Sequence, residues 1–499
     1  MAPPGNFALR VEGVAATNGC LDDTAFVVGD RLFTHREAHE GGARMATLLA
    51  SLGVGRGDRV LLVAPDGIGF VWAFLGAVRI GAVVVPVNPR LTPDDHGRML
   101  ADSGARVVVA SVSLVPRFHD GLTVAEEDLE DALAAQALHP GIEVAADAAA
   151  YAQYTSGTTG APKAAVHRHR DPEVYFEAFA RPAVAIGRED VLLSISKMFF
   201  AYGLGNSLFF TLLAGCQTVL HPGAPRPEAI AGLVERRAVT VLFSVPTFYA
   251  HMVATTCADA MSTVRAAVSA GEPLTVALAQ RARGFLGCPI LDGLGSTEVG
   301  QTFVSNTLDH QRDGTIGVPL PPYEVSIRAD DGRTMPEGEA GSLWVRGPTV
   351  MLEYLGRPEA TAAVKDGDWL RTGDRAALEP DGFVRHEGRI DDMEIIGGVN
   401  VAPVEIEALL ARHDAVVEVA VAGVRDALGA SRLEAFVVLV TDPPPADTVA
   451  TELVAMAAAH LAPHKVPRAV HFVDELPRTA TGKLRRFVLR QGQTGNRSA

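Results

Sequence analysis

The chain has 499 residues, 48% hydrophobic and 21% charged, with 44 Lys and Arg against 59 Asp and Glu for a net charge of −15. That length exceeds one ordinary hydrophobic core, so two or more domains are expected, with the composition of a soluble globular protein. The negative charge argues against a nucleic-acid binder working through bulk positive field, and a polyanionic ligand would have to be met by local donors.

In chain order, residues 1–16 show no basic start followed by an apolar run, so no signal peptide is expected. Thr34 before His35 opens a helix running to about Leu52. RVLLV at 59–63 reads as a buried strand, 67–80 as a helix, AVVVPV at 82–87 as a strand, 93–103 as a helix and RVVVA at 106–110 as a strand. The longest apolar stretch, 70–87, is broken by Arg79 and ends in a proline-containing strand. It is assigned to a buried helix and strand, not to a membrane span. Residues 139–150 read as an exposed connection. The rhythm resumes with strands at 191–196, 218–221 and 240–244 and helices at 204–214 and 227–237. Such alternation predicts parallel sheet covered by helices.

Beyond about residue 320, short alternating segments such as 324–328 and 341–346 are separated by DDG, PEG and PDG turns, which predicts antiparallel strands. A last unit over 392–487 has a helix at 403–412, strands at 416–424 and 432–440, a helix at 446–461 and a basic loop at 475–486. Its own alternation predicts a small separate domain. The polar tail 491–499 is expected to be disordered. Cys20, Cys216, Cys257 and Cys288 are scattered without a CxxC pair. This favours buried free thiols over a metal site or disulfide framework, and a reducing cytoplasm as the compartment.

Chemistry is concentrated at 154–163, YTSGTTGAPK. Gly157 and Gly160 let backbone approach a phosphate chain, Thr155, Ser156, Thr158 and Thr159 offer hydroxyls, and Lys163 supplies a mobile cation. Such a run also serves as a linker elsewhere, but the strand-like flanks AAYAQ and AAVHRH favour a phosphate loop. It is not a Walker A sequence, the GxGxxG of a dinucleotide fold does not follow the first strand, and kinase-type segments are not found.

YTSGTTGAPK resembles the phosphate loop of the adenylate-forming superfamily of acyl- and aryl-CoA ligases, peptide-synthetase adenylation domains and luciferases. The likeness continues in order through DGLGSTE at 292–298, RTGD at 371–374, GRID at 388–391 and RTATGK at 478–483, and so covers nearly the whole chain. It implies an α/β fold: a large N-terminal domain, 1–390, of parallel α/β subdomains plus a distorted antiparallel β part, and a small mobile C-terminal α+β domain, 391–490. It also implies ATP with Mg²⁺ and two steps. Carboxylate and MgATP give acyl-AMP and pyrophosphate; thiolate attack then gives thioester and AMP.

Glu298, closing a Gly/Ser/Thr loop, is the natural carboxylate for Mg²⁺ bridging ATP phosphates. By resemblance, Asp374 accepts both ribose hydroxyls with Arg389 beside it. The resemblance further places nucleotide next to Ala270, Gly271 and Glu272 of the AGEP segment and next to Asp292, Gly293, Leu294, Gly295, Ser296 and Thr297. The lysine matching Lys483 reaches from the small domain to the substrate carboxylate and α-phosphate. A carboxylate attacking a phosphate brings two anions together, and a cation spanning both lowers that repulsion. Asp391 matches the hinge about which the small domain is implied to rotate, withdrawing Lys483 and presenting 392–401. Gly397 and Gly398 there would let a pantetheine arm pass close to the backbone. Lys465 is read as structural.

Within the superfamily, 198–205 together with GLGSTE looks most like the benzoate-CoA ligase branch. Phe199, Phe200, Ala201, Tyr202, Gly203, Phe248 and Gln301 are the expected walls of a flat slot for an aromatic acid, although each single aromatic there serves equally well as core. Ligases of that branch often have His where Gln301 stands; an amide both donates and accepts, which suits a hydroxy- or amino-substituted ring. Many also carry Lys where Ile395 stands, and the chlorobenzoate-type branch, with a GlyGly in the same loop, lacks that lysine too. The expected acceptor is a separate molecule: coenzyme A first, a discrete carrier protein second, an amine third. A non-catalytic adenylate-binding protein is the alternative class. No nucleic acid and no membrane are expected as partners, and a homodimer is left open.

Overall fold

A computed structural model describes residues 5–118, 122–126, 129–155, 162–396, 399–425, 431–440, 443–478 and 484–491. Ser156, Gly157, Thr158, Thr159 and Gly160, the pair Gly397 and Gly398, Lys483 and the tail 492–499 lie outside the described residues.

Among the described residues, a six-stranded sheet takes the order Leu122–Ala125, Val107–Ala110, Arg59–Val63, Val83–Pro86, Ala149–Thr155 and Lys163–Arg168. Its strands run parallel until the last pair, which is antiparallel. A nine-stranded sheet runs parallel from Ile290–Gly295 through Ala266–Ser269, Val241–Ser244, Val191–Ser194 and Gln217–Leu220 to Thr24–Val28. Antiparallel strands Thr302–Ser305 and then Val318–Pro319 continue it at one end, and antiparallel Arg31–Thr34 at the other. The turn-rich region forms the expected antiparallel sheet from Glu324–Arg328, Ala340–Arg346, Trp369–Leu378 and Val384–Arg389.

The helices start and stop where side chains satisfy their free backbone groups. Thr34 and Glu37 form a reciprocal cap on helix His35–Ser51, and Thr92 caps Pro93–Ser103, which ends on left-handed Gly104. Helix Ile68–Arg79 is buried from Gly69 to Arg79, which accounts for a sequence apolar on every face. Its Phe74 touches both Tyr151 of the first sheet and Phe209 over the second, so one core joins the two sheets. No helix among the described residues is long and apolar enough to cross a membrane.

Two expectations need correction. The helix read at 204–214 is Ala201–Leu204, then a π-helical turn Gly205–Phe209, then Phe210–Ala214. One extra residue in a turn barely alters the apolar spacing, so the sequence pattern hides it. The connection at 139–150 is partly packed, not simply exposed: Val144 is buried, and Asn6 Nδ2 donates to the Ile142 carbonyl at 3.0 Å.

The C-terminal part has its own core. Strands Val416–Arg425, Ser431–Leu439 and Ala469–Phe472 form a sheet, with helices Pro403–Leu410 and Ala446–His460 packed on it through Ile406, Leu410, Val449 and Leu453. All four cysteines are free, and three of them are buried.

Candidate active site

Strands Ala149–Thr155 and Lys163–Arg168 pair so that Thr155 stands opposite Lys163. Lys163 Nζ lies 5.2 Å from the centre of the Tyr354 ring, within reach of a cation–π attraction. The Tyr354 hydroxyl donates to Glu298 Oε1 at 2.8 Å, and Met351 N donates to the Glu298 carbonyl. Burial, and then the Glu298 charge, push the Tyr354 phenol up, so it stays a donor.

The loop leading into Glu298 is fixed from beneath. His167 Nε2 donates to the Thr297 carbonyl at 2.7 Å; a carbonyl only accepts, so that nitrogen carries the proton. Tyr175 bonds to His167 Nδ1, and Tyr151 to Tyr175, in a fully buried chain. A Cβ on Gly300, whose φ is +89°, would lie 1.9 Å from the Tyr175 hydroxyl oxygen, so only glycine lets the loop settle onto this group.

Asp374 and Arg389 face each other across strands Trp369–Leu378 and Val384–Arg389. Arg389 Nη1 lies 3.4 Å from both Asp374 oxygens and donates to the Thr372 carbonyl, while His386 Nε2 is 3.2 Å from Asp374 Oδ1. Burial alone would raise the Asp374 carboxyl, but Arg389, His386 and Thr372 more than offset it and hold it at about 2. Its folded value therefore lies below the ordinary 3.8, so its stabilisation is full above 3.8 and is lost as pH falls through about 2. Acid titrations followed by intrinsic fluorescence should show the stability gap between wild type and Asp374→Asn shrinking across that window. A gap that stays constant with pH would contradict the assignment.

A cavity of about 370 Å³ opens beside these groups. Thr155, Ser296 and Thr297 border it, and its walls include Phe199, Phe200, Ala201, Tyr202, Ala270, Gly271 and Gln301. Phe199 and Phe200 meet edge to face, with ring centres 4.6 Å apart. Gln301 is buried; its Oε1 accepts from Thr302 N and Oγ1, whereas its Nε2 has only long contacts to the Tyr202 carbonyl at 3.4 Å and Asn206 Oδ1 at 3.5 Å. Gly205, at the start of the π turn, leaves room for that amide, since a Cβ there would lie 2.0 Å from Gln301 Nε2.

The AMP-binding enzyme family matches residues 14–355, and its C-terminal domain matches residues 405–483. The chain belongs to this family. The p-hydroxybenzoic acid–AMP ligase FadD22 of Mycobacterium marinum is 44% identical over 481 residues, 96% of this chain and 68% of that protein. Two solved structures are similar over nearly their whole length. A benzoate CoA ligase from Burkholderia xenovorans LB400 has a TM-score of 0.91 and 37% identity, covering 97% of this chain and 99% of that one. The anthranilate CoA ligase AuaEII in complex with anthranoyl-AMP has a TM-score of 0.92 and 31% identity, covering 99% and 98%.

In this AMP-binding enzyme the residues expected from the sequence are not all in one place. Thr155, Ser296, Thr297, Ala270, Gly271, Glu272 and most of the acyl-pocket residues share the cavity. Lys163 and Glu298 meet through Tyr354 next to Thr155, whereas Glu298, Lys163, Asp374 and Arg389 are not on the cavity wall. Phe248 does not line the cavity; it is buried with Tyr249 and Met252 in a separate apolar cluster. Gly203 is also off the wall, pressed so closely on Lys197 that a Cβ would lie 2.1 Å from the Lys197 carbonyl oxygen. Asp292 is half-buried, its Oδ1 has no hydrogen-bonding partner, and desolvation of its carboxyl pushes it well above the ordinary range. Asp391 is exposed on the short turn Ile390–Asp392.

Other groups were not anticipated. Tyr354 and His167 hold Glu298 and Thr297, as described. Asp66 and Lys197 line the cavity 4.0 Å apart, with Asp66 Oδ1 accepting from Met198 N at 2.9 Å. Burial, partly opposed by Lys197, pushes the Asp66 carboxyl up to about 6. A polar pair at the end of a strand carries no local sequence signal, and only the charge of Lys197 beside MFF at 198–200 could have drawn notice.

Proposed function

We propose that this AMP-binding enzyme activates an aromatic carboxylic acid with ATP and passes the aryl group to a thiol. In the first step a carboxylate oxygen attacks the α-phosphorus, and pyrophosphate leaves. In the second, a thiolate attacks the acyl carbon and AMP leaves. The observation that carries this reading is the cavity bordered by Thr155, Ser296 and Thr297 and walled by Phe199, Phe200, Tyr202 and Gln301. An acid held against those aromatic walls presents its carboxylate where the phosphate-binding strings end. Asp374 and Arg389 take the ribose, and the unpartnered Asp292 oxygen suits an amino donor on the base.

Among the described residues no group of three or more His, Cys, Asp or Glu could hold a metal ion by itself. Glu298 fits Mg²⁺ nonetheless, because that ion commonly binds through one carboxylate together with substrate phosphates. When bound it would supply charge neutralisation on the phosphates. Lys483 adds the cation that spans carboxylate and α-phosphate. The domain limits follow the same reading: 1–390 adenylating and 391–490 turning about Asp391, with Gly397 and Gly398 assigned to the thiol step.

Coenzyme A is the first acceptor on this reading, supported by the two CoA ligases among the similar structures. A carrier protein is second, favoured by the FadD22 relative, whose name stops at the AMP ligase and whose chain extends beyond the matched 68%. Four free thiols favour a reducing cytoplasm. The loosely held Gln301 Nε2 is the donor best placed for an oxygen substituent on the ring.

Carboxylate-dependent ATP–pyrophosphate exchange across benzoates, heteroaryl acids, cinnamates and fatty acids tests the first step alone. Exchange confined to aryl acids, with a hydroxy- or aminobenzoate ahead of benzoate, is the expected result. Exchange with fatty acids discards the pocket assignment, and no exchange with any acid discards the enzyme reading. In the same assay Gly205→Ala should push the Gln301 amide aside and raise the KM for the aryl acid about tenfold with the KM for ATP unchanged.

A further inference from the structure

Helix Pro246–Val253 carries Thr247 and His251 four residues apart, hence on one face, and that face meets strand Val416–Arg425 of the C-terminal part. His251 Nε2 lies 3.1 Å from Glu418 Oε1. Arg478 enters the same seam. Its Nη1 donates to Glu272 Oε1 at 2.6 Å, and its Nη2 donates to Glu418 Oε2 at 2.8 Å and to Thr247 Oγ1. Glu272 Oε2 in turn accepts from Thr247 N at 3.0 Å and Oγ1 at 2.6 Å. One guanidinium thus grips a carboxylate from each side of the seam, and the Glu418 side chain is only 9% exposed. Burial alone would raise the Glu418 carboxyl, but His251 and Arg478 hold it below the ordinary range, as a charge with partners on both flanks should be.

The position of this contact along the chain gives it a consequence. Glu272 lines the cavity. Arg478 is bridged to Leu484, and Arg485 N donates to the Pro477 carbonyl at 2.8 Å, so the residues on either side of 479–483 are tied together at the seam. We propose that Arg478 is a positioning residue for Lys483: with Glu272 and Thr247 on one side and Glu418 on the other, it latches the C-terminal domain in the arrangement that serves adenylation, and it must let go before the thiol step. This rests on the adenylation reading above. An ionic latch suits a contact made and broken each turnover, since its charges are readily rehydrated on release, whereas a large apolar interface is slow to part.

The test separates the half-reactions in the full chain. Arg478→Ala and Glu418→Gln should each lower benzoate-dependent pyrophosphate exchange about tenfold, with transfer from preformed aryl-adenylate to coenzyme A within about twofold of wild type. Arg478→Lys, which keeps the charge but not the fork, should fall between wild type and Arg478→Ala. Equal loss in both half-reactions, or no loss in either, overturns the latch. Amide hydrogen exchange provides a readout that needs no activity: Glu418→Gln should speed exchange over 246–253 and leave the core strand Val241–Ser244 protected. Unchanged exchange at 246–253 refutes the latch on its own, whereas wild type inactive with every acid refutes the function and leaves the latch to this measurement.

Discussion

Replacing Lys483 with alanine is expected to lower carboxylate-dependent pyrophosphate exchange about a thousandfold while leaving the thermal midpoint unchanged. The argument is electrostatic. The chain carries a net charge of −15, and the first step asks an anion to attack a polyanion. Bulk field opposes that encounter, so a cation placed where the two reacting groups meet has a large differential effect on the transition state. Lys163 stands opposite Thr155 and over the Tyr354 ring, on the phosphate side. On the proposed reading the second cation is Lys483 of RTATGK at 478–483. Lys483→Arg should recover part of the rate, because charge is kept but the compact ammonium is not. Transfer from preformed aryl-adenylate should be spared in both variants. An alanine variant with near-normal exchange would refute the role.

What the sequence made legible was local. The strand–helix alternation, the Thr34 cap and the Gly/Ser/Thr strings all lie within a few residues, where spacing and residue type suffice. What it hid was long in range or slight in pattern. Tyr354 finds Glu298 across 56 residues, His167 finds Thr297 across 130, Asp66 finds Met198 across 132 and Arg478 finds Glu272 across 206. No periodicity encodes such pairs; they follow from which strands lie side by side. Phe248 was misplaced for a related reason. It sits one residue from Thr247, hence about 100° around the helix, so when Thr247 faces the seam Phe248 turns into the core. The π turn at Gly205–Phe209 was missed as well, and it carries the glycine that makes room for Gln301.

The groups around Glu298 allow the metal reading to be tested against a plain structural one. Glu298→Gln keeps the shape and can still accept the Tyr354 hydrogen bond, so folding should be little affected. What it removes is the charge, and pyrophosphate exchange at fixed Mg²⁺ should fall about a hundredfold. Tyr354→Phe does the converse: it keeps the carboxylate and removes its orienting donor. Burial and the neighbouring charge keep that phenol protonated, so the donor is constant over the working pH range. Its loss should raise the Mg²⁺ concentration needed for half-maximal exchange about tenfold, with the rate recovering at saturating metal. If Glu298 served only to brace the 349–354 loop through Met351 and Tyr354, the tyrosine variant would instead lower the thermal midpoint and leave the Mg²⁺ titration where it was. The two variants therefore separate a carboxylate that meets the metal from one that only ties a loop, and a Mg²⁺ midpoint unmoved in both would rule out Glu298 as the ligand.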